Sequence, residues 1–170
     1  MRPTAPTVLS ARVLFGLAGW LGLCYATAAA GAAASVGAPA FYAGLVQPAW
    51  APPAGLFGPV WSVLFTLMAV AAWMVWRLPA GTPGRRRALG VFGVQLVINA
   101  LWSWLFFVWH SGAGALADVA LLAVLIAWTS RAFWRLRPLA GVLLLPYLLW
   151  VGFAAVLTAA LWRANPAMLG

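Results

Sequence analysis

The sequence has very few charged side chains and almost nothing that could act as an acid, a base or a metal ligand. Only 6% of its 170 residues are charged, and it contains no lysine, one histidine, one cysteine and one acidic residue, Asp118. Without lysine it cannot form a retinal or pyridoxal Schiff base or a P-loop. One histidine and one acid cannot make a conventional metal site or a carboxylate pair. We therefore predict no metal site, no required cofactor and no classical hydrolytic chemistry.

The chain is too apolar to be a soluble domain. Its residues are 66% hydrophobic, whereas a soluble domain has about 25% charged residues to cover its core. The net charge of +9 comes entirely from arginines, which stand at the ends of hydrophobic runs as in membrane proteins. There is no basic stripe with exposed aromatics, so we predict no nucleic-acid partner. The composition indicates an all-α integral membrane protein in which lipid covers the apolar surface.

Five stretches are apolar enough to cross a bilayer, for which a helix needs about 20 residues. Residues 35–56 contain four prolines, which exclude a continuous helix, and carry Trp50. We interpret this segment as a structured Pro/Trp-rich first loop. The prediction is a single domain, residues 1–170, with spans at residues 8–30, 57–78, 88–109, 113–134 and 139–162.

The arginines predict how the chain is oriented. With five spans, Arg163 is alone on its side of the membrane, and the positive-inside rule places the N-terminus in the cytoplasm. Helical spans favour the bacterial inner membrane over the outer one. The Ala-rich end of the first stretch also fits a signal peptide, but its apolar run is long for one, which favours an uncleaved span. The nine arginines on the predicted cytoplasmic side are Arg2, Arg12, Arg77, Arg85, Arg86, Arg87, Arg131, Arg135 and Arg137.

Polar residues recur along one face of the third span. Gln95, Asn99 and Ser103 are four residues apart and therefore share a helix face, and Trp102 and Phe106 flank it. Polar groups inside a span usually point into the bundle. They could bond neighbouring helices together or form part of a ligand site, and the sequence leaves both readings open.

Tryptophan is the most unusual component of this chain, with twelve residues. Several stand at span ends, where interfacial belts form, but three lie deeper. Aromatic side chains around a few polar groups suit a large, flat, mostly apolar ligand. Pro146 predicts a kink in the fifth span. The deeper aromatic candidates and their neighbours are Trp61 and Phe65 in the second span, Trp102 in the third, and Tyr147, Trp150 and Ala154 in the fifth.

Four segments together resemble the TspO/MBR family of tryptophan-rich sensory proteins, which includes the mitochondrial translocator proteins, or peripheral-type benzodiazepine receptors. The resemblance covers nearly the whole chain and rests on the order and spacing of these segments. The first loop reads Phe41-Tyr42-Ala-Gly-Leu-Val-Gln47-Pro48-Ala-Trp50-Ala-Pro52-Pro53, followed by Phe57-Gly-Pro-Val-Trp61. The others are Gln95-Leu-Val-Ile-Asn99-Ala-Leu-Trp102-Ser103, Leu145-Pro146-Tyr147-Leu-Leu-Trp150 and Trp162-Arg163-Ala-Asn165.

The resemblance implies a five-helix bundle, commonly a homodimer, that binds porphyrins such as protoporphyrin IX in a pocket under the first loop. It implies a receptor, transport or sensory role; the alternative is light-dependent porphyrin degradation through Trp61 and Trp150. By position, it places Tyr42 and Trp50 over the pocket. The predicted ligand-binding set is Tyr42, Trp50, Trp61, Phe65, Asn99, Trp102, Ser103, Phe106, Tyr147, Trp150 and Ala154.

Other residues raise narrower questions. Arg163 is a candidate partner for a porphyrin propionate, or it merely anchors the helix end. An ion-coupled transporter would need titratable groups along a pathway, and only Asp118 and His110 qualify, which argues against that function.

The sterol-recognition pattern before Arg163 has alanine where the family has tyrosine. Val94 interrupts the small-residue pair that would favour a dimer contact.

Overall fold

A computed structural model describes residues 11–170, apart from the side chain of Arg12. Arg2 and the predicted start of the first span at Val8 lie outside the described residues. The described chain is helical and contains no strand. Its helices are α1 (Ala11–Ala34), α2 (Ala38–Gly44), α3 (Phe57–Trp76), α4 (Arg85–Ser103), α5 (Gly112–Leu136), α6 (Pro138–Val142), α7 (Leu145–Ala164) and α8 (Pro166–Leu169).

Five stretches are long and apolar enough to cross a membrane, which confirms the predicted fold class. Each is helical because a chain in lipid must satisfy its own backbone hydrogen bonds. A 3₁₀ turn, Ala54–Leu56, precedes α3. The five spans are Val13–Ala34, Ala54–Trp76, Arg85–Val108, Gly112–Leu136 and Pro138–Ala164.

Two spans are irregular. The last is divided into α6 and α7, and Pro146 stands in the first turn of α7, where its missing N–H costs nothing. The predicted kink therefore takes the form of a break just before Pro146. The third span ends in a π-helical turn, Trp104–Val108, in which Trp109 N donates to Trp104 O at 2.9 Å. Nothing in the sequence analysis predicted this turn, and π turns are frequent at functional sites.

The two ends of the bundle differ in charge. We call the end that carries Arg77, Arg85 and Arg131 the arginine side, and the end beside the first loop the loop side. On the arginine side, the Arg87 guanidinium lies 5.3 Å from the centre of the Trp128 ring. Arg163 is at the loop side, at the end of α7. The described arginines are thus distributed as the sequence predicts.

The half of the bundle towards the arginine side is closely packed. Ala71 and Ala72 of α3 are fully buried and leave room for large partners from α4 and α5. Phe92 and Phe133 belong to the same buried cluster, with their rings stacked 5.8 Å apart. This core holds the helices in register beneath the loop-side half, where the candidate site lies.

Candidate functional site

A cavity of about 430 Å³ occupies the loop-side half of the bundle. All five spans contribute to its wall, each through the half that points towards the first loop. Its volume lies within the usual range of small-molecule sites. Residues that line it include Tyr25, Thr27 and Gly31 of α1 and Ser35 just beyond its end; Phe57, Trp61 and Phe65 of α3; Asn99, Trp102 and Ser103 of α4; Val119 and Leu122 of α5; and Trp150, Ala154 and Thr158 of α7.

Aromatic rings form much of this wall. Trp102 and Phe106 stack with centroids 5.1 Å apart and planes at 8°. Trp61 lies 5.5 Å from Phe65 on the same helix, and Trp150 packs edge-on against Phe57 at 5.9 Å. The rings come from three spans and converge on one space. Such a surface favours flat apolar molecules.

Two indole groups of the wall carry unpaired hydrogen-bond donors. The Nε1 atoms of Trp102 and Trp150 are buried and have no acceptor within the described chain. Both residues line the cavity. A buried polar group without a partner costs about 1–3 kcal/mol, and indole N–H groups usually find partners when buried. Each Nε1 atom is closed off from the cavity by neighbouring atoms, so the indole rings reach the cavity and these two donors do not.

Asn99 connects the cavity to the packed bundle. Its Nδ2 donates to the Tyr147 hydroxyl at 2.9 Å, and this bond joins α4 to α7. Tyr147 is fully buried and lies behind the lining. The neighbouring stripe residue Gln95 is also fully buried, and its Nε2 lies 4.0 Å from Met68 Sδ. The polar stripe therefore bonds helices together, and at Asn99 it also reaches the cavity.

The first loop covers the loop-side end of the cavity. Tyr42 of α2 lines the cavity, and its hydroxyl donates to Pro52 O at 3.2 Å. Burial raises the pKa of the Tyr42 phenol above its ordinary value, so the proton needed for this bond is retained. Trp50 packs edge-on against Phe153 at 5.8 Å. It is 49% exposed and does not line the cavity.

The first span supplies a wall that the sequence analysis missed. Gly31 lies so close to α4 that an added Cβ would meet Ser103 Oγ at 3.2 Å. The Tyr25 hydroxyl is 2.9 Å from Thr66 Oγ1 of α3. A four-residue spacing of small or polar residues, Thr27, Gly31 and Ser35, marks this face. This spacing was not recognised in the sequence because the surrounding residues of α1 include so many alanines.

The structure brings most of the predicted site residues together. Trp50, Tyr147 and Arg163 stand apart from the lining. Arg163 is exposed at the end of α7, and His110 is exposed and stacks on Phe41 at 4.4 Å. The predicted residues that do line the cavity are Tyr42, Trp61, Phe65, Asn99, Trp102, Ser103, Phe106, Trp150 and Ala154.

These features define an integral membrane protein with a largely aromatic cavity between its helices. A sequence profile of the TspO/MBR family matches residues 19–163. The chain is 39% identical to the tryptophan-rich protein TspO of Chlorobaculum tepidum over 152 residues, which are 86% of this chain and 93% of that protein.

Two further relatives come from a bacterium and from human. The chain is 38% identical to the tryptophan-rich sensory protein of Cereibacter sphaeroides over 81% of this chain and 87% of that protein. It is 37% identical to the human translocator protein over 74% of this chain and 75% of that protein. The chain belongs to the TspO/MBR family.

Proposed function

We propose that this protein binds porphyrins, such as protoporphyrin IX, in the cavity between its helices and acts as a tetrapyrrole receptor or transporter. One observation carries the proposal: aromatic rings of three spans, among them Trp61, Trp102 and Trp150, converge on one cavity between the helices. A porphyrin offers a flat face for the rings and carboxylate oxygens for donors. Asn99 adds an amide on the same wall.

Titration of the purified protein with protoporphyrin IX in the dark tests this function. Trp102→Leu and Trp150→Leu keep apolar bulk but remove an aromatic ring from the cavity wall, so each should weaken binding. Trp134→Leu is the matched control, because Trp134 is 52% exposed and lies outside the lining. Equal affinity of all three variants and the parent protein would contradict the proposed site.

A second candidate function is light-dependent porphyrin degradation. It is favoured by the positions of Trp61 and Trp150, whose oxidisable indoles both line the cavity. Illumination of the same porphyrin-loaded samples, with analysis of the products, separates the two functions. A receptor or transporter returns the porphyrin unchanged, whereas a degrading enzyme yields new tetrapyrrole products.

We further propose that the arginine side faces the cytoplasm of a bacterial cell and that the first loop faces outward. The support is the distribution of the arginines, since basic residues remain on the cytoplasmic side. Single cysteines at Arg85 and Ala51, in a Cys24→Ser background, test the orientation with a thiol reagent that cannot cross the membrane. Labelling in intact cells at position 51 alone is expected; labelling at position 85 alone would reverse the assignment.

A further inference from the structure

The first loop is tied to the last span by one side chain. Asn165, just beyond α7, accepts a hydrogen bond from Val46 N at 2.8 Å. Its Nδ2 donates to Val46 O at 3.0 Å and to Leu161 O at 2.9 Å. The amide thus pairs with both backbone groups of one loop residue, as a neighbouring strand would. Because Asn165 is only 6% exposed, these bonds are protected from water.

The remainder of the loop is held by weaker or more local contacts. Among the described residues, the hydrogen bonds of residues 45–53 to distant parts of the chain are made through Asn165 alone, and the others join them to residues 42–56. Gln47 Nε2 donates to Tyr42 O at 2.5 Å within the loop region. Trp50 contributes an edge-on packing contact with Phe153. Leu45 is also buried in one apolar cluster with Leu157 and Leu161 of α7. Loss of Asn165 would therefore remove the hydrogen bonds between the loop and the end of α7 and leave the loop held there by apolar packing alone.

The tied segment joins two parts of the cavity wall. Tyr42 precedes it and Ala54 and Phe57 follow it, and all three line the cavity. Tyr42 packs edge-on against Phe57 of α3 at 5.8 Å, so movement of residues 45–53 away from α7 would disturb this contact at the loop-side end of the cavity. The loop-side end of the cavity would then open to water.

We infer that Asn165 is a positioning residue that latches the first loop over the cavity and thereby sets how fast ligands exchange with the aqueous side. It does not line the cavity, so it acts through the loop and not by contact with the ligand. The identity of the ligand is the only part of this inference that rests on the proposed function. A latch limits movement in both directions, so its removal should raise the association and dissociation rates together.

A test without porphyrin measures access to the cavity directly. Ser103→Cys, in a Cys24→Ser background, places a thiol on the lining, where a charged, water-soluble thiol reagent must arrive from an aqueous side. Adding Asn165→Ala removes both hydrogen bonds to Val46 and should raise its labelling rate at least about tenfold, the factor that the loss of one such bond already corresponds to. Asn165→Asp should act in the same direction, because a carboxylate cannot donate to Val46 O.

The matched control is Ser130→Ala. The Ser130 hydroxyl is also buried and donates to Gly141 O at 2.9 Å, but it joins α5 to α6 away from the cavity. A general loosening of the bundle would raise labelling in both variants. An increase confined to the Asn165 variants supports the latch, and equal labelling rates in all samples would overturn it.

Stopped-flow kinetics with protoporphyrin IX in lipid nanodiscs complete the test. The latch predicts that Asn165→Ala raises both rate constants about tenfold while the Kd changes by less than about threefold. Faster thiol labelling with unchanged porphyrin rates would mean that the ligand exchanges through the bilayer, and the latch would not control its exchange. If the parent protein binds no porphyrin, the proposed function fails, while the labelling experiment still decides whether Asn165 closes the cavity.

Discussion

The two halves of this bundle are built from the same five spans but pack differently. Towards the arginine side, alanines of α3 face large aromatic rings, and Phe92 and Phe133 are completely buried. Towards the loop side, large rings meet other large rings around an open space, and Trp61 and Trp150 remain partly exposed to it. Protein interiors pack without cavities when large side chains on one helix face small side chains on its neighbour. The loop-side half departs from that pattern and leaves room for a ligand.

The two halves do not differ in the same way in how their polar groups are paired. In the packed half, the Ser130 hydroxyl has a backbone acceptor and Trp73 Nε1 donates to Val13 O at 2.9 Å, but Arg85 Nε has no partner within the described chain. In the loop-side half, Trp102 Nε1 and Trp150 Nε1 have none either. Side-chain size and packing, not hydrogen bonding, therefore distinguish the two halves.

The largest expected effect is on stability, from a deletion in the packed half. Phe133→Ala removes a fully buried ring stacked on Phe92 and should cost about 3–5 kcal/mol. Thermal unfolding in detergent measures the loss. The control is Phe15→Ala, since Phe15 is 76% exposed on α1 and should change the midpoint little. Similar losses in both variants would contradict the role of Phe133 in a closely packed core.

The second largest effect is expected on ligand affinity, when two aromatic rings are removed from the cavity wall. The Trp61→Leu, Trp150→Leu double variant keeps apolar bulk but loses two π surfaces, at about 2–3 kcal/mol together, or roughly 30- to 150-fold in Kd. The thermal unfolding midpoint of the double variant should remain near that of the parent protein. Affinity at the parent level in a stable double variant would place the ligand elsewhere.

A smaller effect is expected from Asn99→Ala. It removes the amide from the cavity wall and should weaken a polar-edged ligand by about 1–2 kcal/mol, roughly 5- to 30-fold. The control is Tyr147→Phe, which breaks the same hydrogen bond from the other side but leaves the Asn99 amide at the cavity. If both variants lose affinity equally, Asn99 acts only by bonding the helices together.

The smallest effect concerns charge at the loop side. Arg163→Gln should weaken porphyrin binding up to about fivefold, because an exposed ion pair is worth about 0–1 kcal/mol. An uncharged flat ligand should bind as before, and the difference should shrink as salt is added. Equal change for both ligands would assign Arg163 to anchoring the helix end.

Most residues of the candidate site could be predicted from the sequence, and each exception has a physical reason. Trp61, Trp102 and Asn99 stand out within apolar spans, where large aromatic and polar residues have few other uses. The part of the cavity wall that α1 forms was missed because Gly31 acts by having no side chain. Such a residue has no polar or aromatic group that would stand out in the sequence. Trp50 and Tyr147 were predicted from position but lie behind or beside the lining.

The sequence by itself determined the class of the molecule, its five spans, the distribution of its arginines and its family. Those properties depend on local composition, because about 20 apolar residues suffice to make a span wherever they stand. Only the tertiary structure decided which indoles lack partners, where the π turn falls and how Asn165 reaches Val46 across 119 positions of the chain. Such features depend on which helix faces meet, and packing in lipid sets those pairings through shape and individual hydrogen bonds.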